Sequence, residues 1–144
     1  MTGRCVVILS AIGLLTGACG QNETGTSPSE TSTSSANTQR FDAILNPRAS
    51  AFFSFQVGGN GGAVSINLAS LSPIYRPGAL PIAVDIGYGV PVGEGCELRK
   101  SVQTAPGLTS QLTDSLTIGI YCASITDLGN LTEPVNFSMR ITHP

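Results

Sequence analysis

Tryptophan is absent from this 144-residue chain, and histidine occurs once, at His143. General acid–base and metal chemistry therefore lacks its most common side chain. His143, one residue before the last, is expected at a frayed, exposed position. Charged residues are also scarce, at 11% against roughly 25% in an average domain. Seven basic residues stand against nine acidic ones, a balance that gives no electrostatic footprint for nucleic acid. What is abundant is Gly, at 17 residues, together with Ser and Thr. That composition suits short strands and turns rather than long charged helices.

The N-terminus carries Arg4, then the apolar run from Cys5 to Leu15, then the small residues Thr16-Gly17-Ala18. This is the layout of a secretory signal over residues 1–18. The run falls short of the roughly 20 apolar residues needed to span a bilayer. A buried core helix is the rival reading, but a polar tract follows at once, with nothing nearby to pack on the run. Leu15-Thr16-Gly17-Ala18-Cys19 resembles the lipobox of bacterial lipoproteins, with Thr16 standing where that family usually has Leu. The resemblance implies cleavage before Cys19 and diacylglyceryl transfer to its sulfur. Ordinary secretory cleavage nearby, releasing a soluble protein, is the alternative. Each buried methylene of an acyl chain contributes about 0.8 kcal/mol, so two or three chains hold a membrane firmly where one holds weakly. Gly20 differs from the Asp that marks inner-membrane retention in many such lipoproteins, which leaves outer-membrane sorting open.

Four cysteines are present, Cys5, Cys19, Cys96 and Cys122. Cleavage removes the first and acylation occupies the second. Cys96 and Cys122 then form an even pair in an oxidising, exported setting, which predicts a disulfide. A pair of free thiols binding metal is the competing account, but two cysteines without histidine make an incomplete zinc site. Residues 19–38, from the lipidated Cys19 onward, form the linker. Ten of the nineteen residues from Gly20 to Thr38 are Ser or Thr, and the only apolar side chain is Ala36. Such a segment predicts a flexible tether, with a root-mean-square span of roughly 24 Å and a limit near ~65 Å. Asn-x-Ser/Thr matches at Asn22, Asn130 and Asn136 are read as coincidental in a bacterial lipoprotein.

Residues 39–144 match the size of a small β-sandwich, about 100 residues. Val135, Phe137, Met139 and Ile141 alternate with Asn136, Ser138, Arg140 and Thr142, the period of a half-buried antiparallel strand. Phe53, Phe55 and Val57 repeat the pattern. A Gly58–Gly62 turn follows, then Val64, Ile66 and Leu68, which predicts a hairpin or a tight strand connection. Further strands are expected at Ile82–Ile86, Cys96–Leu98, near Leu112 and at Ile120–Thr126. Turn signals separate them at Arg76–Gly78, Val90–Gly95, Ala105–Gly107 and Asp127–Asn130. No stretch keeps helical periodicity. The fold class is all-β, an antiparallel sandwich or jelly-roll-like domain. In the last of the inner strands Tyr121, Ala123 and Ile125 are assigned to the core. That turns Cys122 and Ser124 outward, so a disulfide there would staple neighbouring strands.

Ala51–Val57, the glycine turn, Val64–Leu68, Leu116–Cys122 and Phe137–Ile141 together resemble bacterial pre-peptidase C-terminal domains over roughly Ser50 to Thr142. The resemblance implies a β-sandwich accessory domain of the kind appended to secreted peptidases. This chain departs from it in carrying no peptidase and in carrying a cysteine pair.

No Gly-x-Ser-x-Gly elbow marks a serine nucleophile, and the glycine run lacks the Lys-Ser/Thr of a phosphate loop. Acidic residues are scattered. Among them Asp127, Asn130 and Glu133 lie closest in sequence and are the candidate Ca²⁺ ligands. Exposed aromatic platforms for a carbohydrate reduce to Tyr75 and Tyr88. The expectation is a non-enzymatic binding or accessory module, membrane-held through its lipid, meeting an envelope polysaccharide or a protein partner. Two alternatives stay open. One is an envelope-polymer hydrolase, which would need Asp85 and a second acid about 5–9 Å apart; the other is a purely structural envelope lipoprotein.

Overall fold

The computed structural model describes residues 35–144. The signal, Cys19 and nearly all of the tether lie outside the described residues. Eight strands follow one another: β1 (Asn37–Leu45), β2 (Ser50–Val57), β3 (Gly62–Pro73), β4 (Val84–Val92), β5 (Gly95–Thr104), β6 (Leu112–Leu116), β7 (Gly119–Thr126) and β8 (Val135–His143). They form two four-stranded sheets, β1-β8-β3-β6 and β2-β7-β4-β5, with every pairing antiparallel. The domain is a β-sandwich, and this interleaved strand order is that of a jelly roll. Only β4 and β5 are consecutive within one sheet. The glycine turn is therefore not a hairpin. It carries the chain from one sheet to the other, with Gly59 and Gly61 at positive φ.

The core is the product of alternation. Phe55, Val57, Val84, Ile86, Tyr121, Ala123 and Ile125 from one sheet meet Val64, Ile66, Leu68, Val135, Phe137, Met139 and Ile141 from the other. A fully buried Leu, Ile, Val or Phe contributes about 1.5–3 kcal/mol, and this layer supplies the main driving force for closing the sandwich. One open side is shut by Phe41 of β1 stacking on Phe53 of β2, with ring centroids 4.6 Å apart. The other is shut by polar groups, described below.

Several boundaries differ from the sequence reading. β1 begins at Asn37, inside the stretch read as tether, because Phe41, Ala43 and Leu45 give it an inner face. β4 begins at Val84 rather than Ile82 and runs on through Pro91, so the turn there is only Gly93-Glu94. β5 is far longer than Cys96–Leu98, and its mostly exposed residues show no alternation. His143 is not frayed: it is 3% exposed, opposes Asn37 in the β1–β8 register and packs on Phe55.

Two bulges shape the sheets. On β3 the register with β8 slips between Leu68 and Ser70, so Ala69 is an extra residue. A one-residue slip exchanges the two faces of a strand. Beyond the bulge Leu71 points into the core while Ser70 and Ser72 turn outward. The Leu68 carbonyl beside the bulge accepts hydrogen bonds from the Gly107 N–H (2.9 Å) and from Gln111 Nε2 (3.2 Å). The second slip lies between Tyr88 and Gly89, opposite Lys100 and Leu98, and leaves Arg99 as the extra residue on β5.

Candidate functional site

The residues singled out from the sequence meet different fates. Asp127 is 4% exposed. Its Oδ2 accepts the Arg48 N–H at 2.7 Å, and its Oδ1 accepts those of Asn130 (2.9 Å) and Leu131 (3.1 Å). Burial alone would raise its pKa, but these N–H groups, with that of Gly129, outweigh it and hold the carboxyl below the ordinary range. The carboxylate ties the β1–β2 turn, where Arg48 has φ 60°, to the β7–β8 loop. Glu133 is ion-paired with Arg76, and the Asn130 amide donates to the Ala83 carbonyl at 2.9 Å. The expected Ca²⁺ set is therefore corrected: N–H donors, not an open oxygen cage, surround Asp127, and its neighbours are turned to other partners. Among the described residues no cluster of three or more His, Cys, Asp or Glu comes together.

Tyr88 is likewise no ligand platform. Its ring lies in the core at 7% exposure, on the inner face of β4. Tyr75 is the opposite case, 85% exposed on the β3–β4 loop.

Cys96 and Cys122 are joined by a disulfide, Cα–Cα 5.9 Å. The registry reading holds in direction, since Tyr121, Ala123 and Ile125 face the core. It is corrected in two respects. The bridge joins β5 to β7, which are not neighbours, because β4 lies between them in the sheet. Cys122 is also fully buried despite facing outward. The cause is the curl of β5. Gly87 and Gly89 alternate with the core residues Ile86 and Tyr88, so both present their Cα hydrogens to the outer face. A Cβ on Gly89 would lie 1.8 Å from the Glu97 carbonyl oxygen, and one on Gly87 would lie 2.8 Å from that of Lys100. The β5 backbone therefore rests directly on β4, and reaches across it to Cys122.

The polar closure of the sandwich uses three side chains. Tyr88 Oη donates to Asp114 Oδ2 at 2.7 Å, and Lys100 Nζ donates to the same oxygen at 3.0 Å. These hydrogen bonds, from Tyr88 first, then Lys100 and the Ser115 N–H, bring Asp114 down to about 2. Burial, then the bond to Asp114 and its charge, push Tyr88 up to about 12. A lowered carboxylate pKa stabilises the fold above the unfolded value of 3.8, and that contribution disappears as pH falls towards 2. A raised tyrosine pKa stabilises the fold below the unfolded value of 10.0, and that contribution disappears as pH rises towards 12. Urea midpoints followed against pH should thus fall at both ends. Tyr88→Phe should flatten the alkaline limb and lessen the acid one, leaving the plateau between them lower.

The outer face of the β1-β8-β3 sheet carries a feature that no single stretch of sequence announced. An open groove of about 410 Å³ crosses it, lined by Arg40, Asp42, Ser70, Ser72, Asn136 and Ser138. Register builds it in rows: Asp42 beside Ser138 beside Ser70, and Ile44 beside Asn136 beside Ser72. Arg40 Nε pairs with Asp42 at 2.8 Å. The nearby Ser138 hydroxyl, with Arg40, holds the Asp42 carboxyl below its usual range against the opposing effect of burial. Ser138 is only 6% exposed, and its Oγ lies buried near Asp42, short of full hydrogen-bond geometry. The β3 bulge is what places Ser70 and Ser72 on this face.

No family model matches the chain, and no curated protein matches it. Among solved structures, one described as "Bacillus endospore appendages form a novel family of disulfide-linked pili" is similar to it. That similarity has 14% identity and a TM-score of 0.37, over 75% of this chain and 87% of the other.

Proposed function

We propose that this chain is a lipid-anchored, non-enzymatic β-sandwich serving as an accessory or binding module at the bacterial cell envelope. The observation that supports it best is the Cys96–Cys122 bridge. Disulfides persist in exported, oxidising settings. With these two sulfurs bonded to each other, Cys5 and Cys19 remain, and of these Cys19 directly follows the lipobox-like Leu15–Ala18 segment. The Ser/Thr tether after it gives the domain reach from a membrane surface. The strand pattern that resembles pre-peptidase C-terminal domains supports the accessory role. A carboxylate hydrolase finds less support, since Asp85 on β4 sits between Gln103 and Thr126 in the sheet register, and neither is an acid.

In a bacterial host fed a labelled fatty acid, the wild-type chain should take up label at Cys19 and fractionate with membranes. Cys19→Ser should abolish both and accumulate unprocessed precursor. Normal processing and membrane retention of that variant would refute the anchor.

A further inference from the structure

The two strands at one flank of the sandwich each have a free side. β1 bonds only to β8, and β2 only to β7. Among the described residues, no backbone group of residues 38–44 or 51–57 hydrogen-bonds outside those ladders. The opposite flank is guarded. There β5 is curled, bulged and charged, and on β6 the Thr113 carbonyl accepts a hydrogen bond from Lys100 Nζ at 3.0 Å. β2 has no such protection: Ser50-Ala51-Phe52-Phe53-Ser54-Phe55-Gln56-Val57 carries no charge, no proline and no register slip. An edge of that kind is a template for another strand. Phe52 is 41% exposed on it, and Phe41 and Phe53, which stack at this flank, are only partly buried.

The flank has two levels, and that decides what fits it. Stacked sheets lie roughly 10 Å apart, so a single extended peptide could pair with β1 or with β2 and would leave the other bare. A second sandwich presents two edges at the same spacing. Charge then selects which sandwich. Arg40 and Asp42 stand on either side of Phe41 in β1, pair with each other at 2.8 Å and remain more than half exposed. Antiparallel strands centred on Phe41 set Arg40 of each copy opposite Asp42 of the other, and opposite charges facing across strands are stabilising. Arg40 gains from such a neighbour, because within its own sheet it stands directly opposite Arg140. The same axis carried on to Phe53 sets Ser50 opposite Gln56 and Phe52 opposite Ser54, a pairing free of charge. We propose that this flank joins two copies of the chain about a twofold axis beside Phe41 and Phe53, each sheet continuing from one copy into the other. The inference goes beyond the accessory reading and does not depend on the anchor at Cys19.

The test is sedimentation equilibrium of the full-length chain in a density-matched non-ionic detergent, repeated at several detergent concentrations. The wild type should dimerise with a dissociation constant on the order of 10 μM, as suits a contact at the small end of the interface range. Arg40→Asp alone and Asp42→Arg alone should each weaken self-association about tenfold or more, since each facing pair becomes a like-charged one. Mixed in equal amounts, the two single variants should form a heterodimer of about wild-type strength, because residue 40 of each again meets an opposite charge at residue 42 of the other. Ser54→Lys should also weaken the dimer, by setting a charge on the uncharged edge. Arg99→Asp, on the β5 flank, should leave it unchanged. Circular dichroism should show every variant folded. A wild type that stays monomeric at about 1 mM overturns the proposal. So does self-association that both single reversals leave intact, which would place the contact in the lipid or on another surface. Failure of the mixed variants to pair overturns it as well, and points to an occupant other than a second copy. The acyl mass at Cys19, read on the same sample, keeps the anchor a separate question: a dimer with a bare Cys19 upholds the flank and removes the anchor, and an acylated monomer does the reverse.

Discussion

Replacing Cys96 and Cys122 together by alanine should lower the unfolding free energy of the chain by about 3.5 kcal/mol, the chain-entropy value for a closed loop of this size. The sequence separation of 26 residues sets that number. Alanine is preferred to serine because Cys122 is fully buried, and a hydroxyl there would need a partner. Equilibrium urea denaturation of the oxidised wild type and the double variant is the measurement. A midpoint that does not move would show that the bridge constrains neither the folded nor the unfolded chain. A change in slope would indicate a denatured state altered in compactness instead. Reduction of the native protein should be slow for the same reason that alanine is the better probe: β5 covers the buried partner.

Gly89→Ala should be comparably damaging, by about 3 kcal/mol, because overpacking against a backbone leaves no flexible side chain to give way. Its Cβ would come within 2.5 Å of the Glu97 carbonyl carbon and 2.8 Å of the Leu98 Cα, besides the oxygen at 1.8 Å. Relief requires β5 to lift from β4, and lifting β5 carries Cys96 away from Cys122. Two readouts should therefore move together, a lower urea midpoint and a rise in free thiol when the variant is expressed in an oxidising compartment. Gly95→Ala is the matched comparison on the same hairpin. There the nearest contact is an ordinary 3.5 Å to the Val92 carbonyl oxygen, and the change should stay within about 1 kcal/mol. Equal loss in both variants would mean that the hairpin tolerates no substitution, and the close approach at Gly89 would explain nothing. Combined with the cysteine double variant, Gly89→Ala should fall short of additivity, since both act on the seating of β5.

The all-β class was readable because β2 and β8 alternate apolar with polar side chains, and Phe53-Ser54-Phe55-Gln56-Val57 can hardly be read otherwise. β1 escaped because its first four residues, Asn37 to Arg40, continue the polar character of the preceding segment, and only Phe41, Ala43 and Leu45 mark the inner side. β5 escaped for a different reason: only Val102 packs on the core, and the residues from Glu97 to Ser101 are exposed on both faces, so nothing alternates. The groove was hidden by the β3 bulge. In Val64-Ser65-Ile66-Asn67-Leu68-Ala69-Ser70-Leu71-Ser72 the apolar phase shifts by one residue at Ala69. Read without that shift, Leu71 falls on the outer face and Ser70 and Ser72 fall inside. The shift itself was the available signal. Tyr88, offered as a candidate platform, packs in the core instead, and the glycines on either side of it are the two places where β5 comes closest.

The curl of β5 has a bearing on crowding. A flat outermost strand offers a row of unpaired amides to any passing chain. Here that strand is bent over its own sheet, bulged at Arg99 and studded with Glu97, Arg99 and Lys100. A second molecule approaching that flank meets no straight ladder to extend, so neighbours can be packed densely around it without being zipped together there.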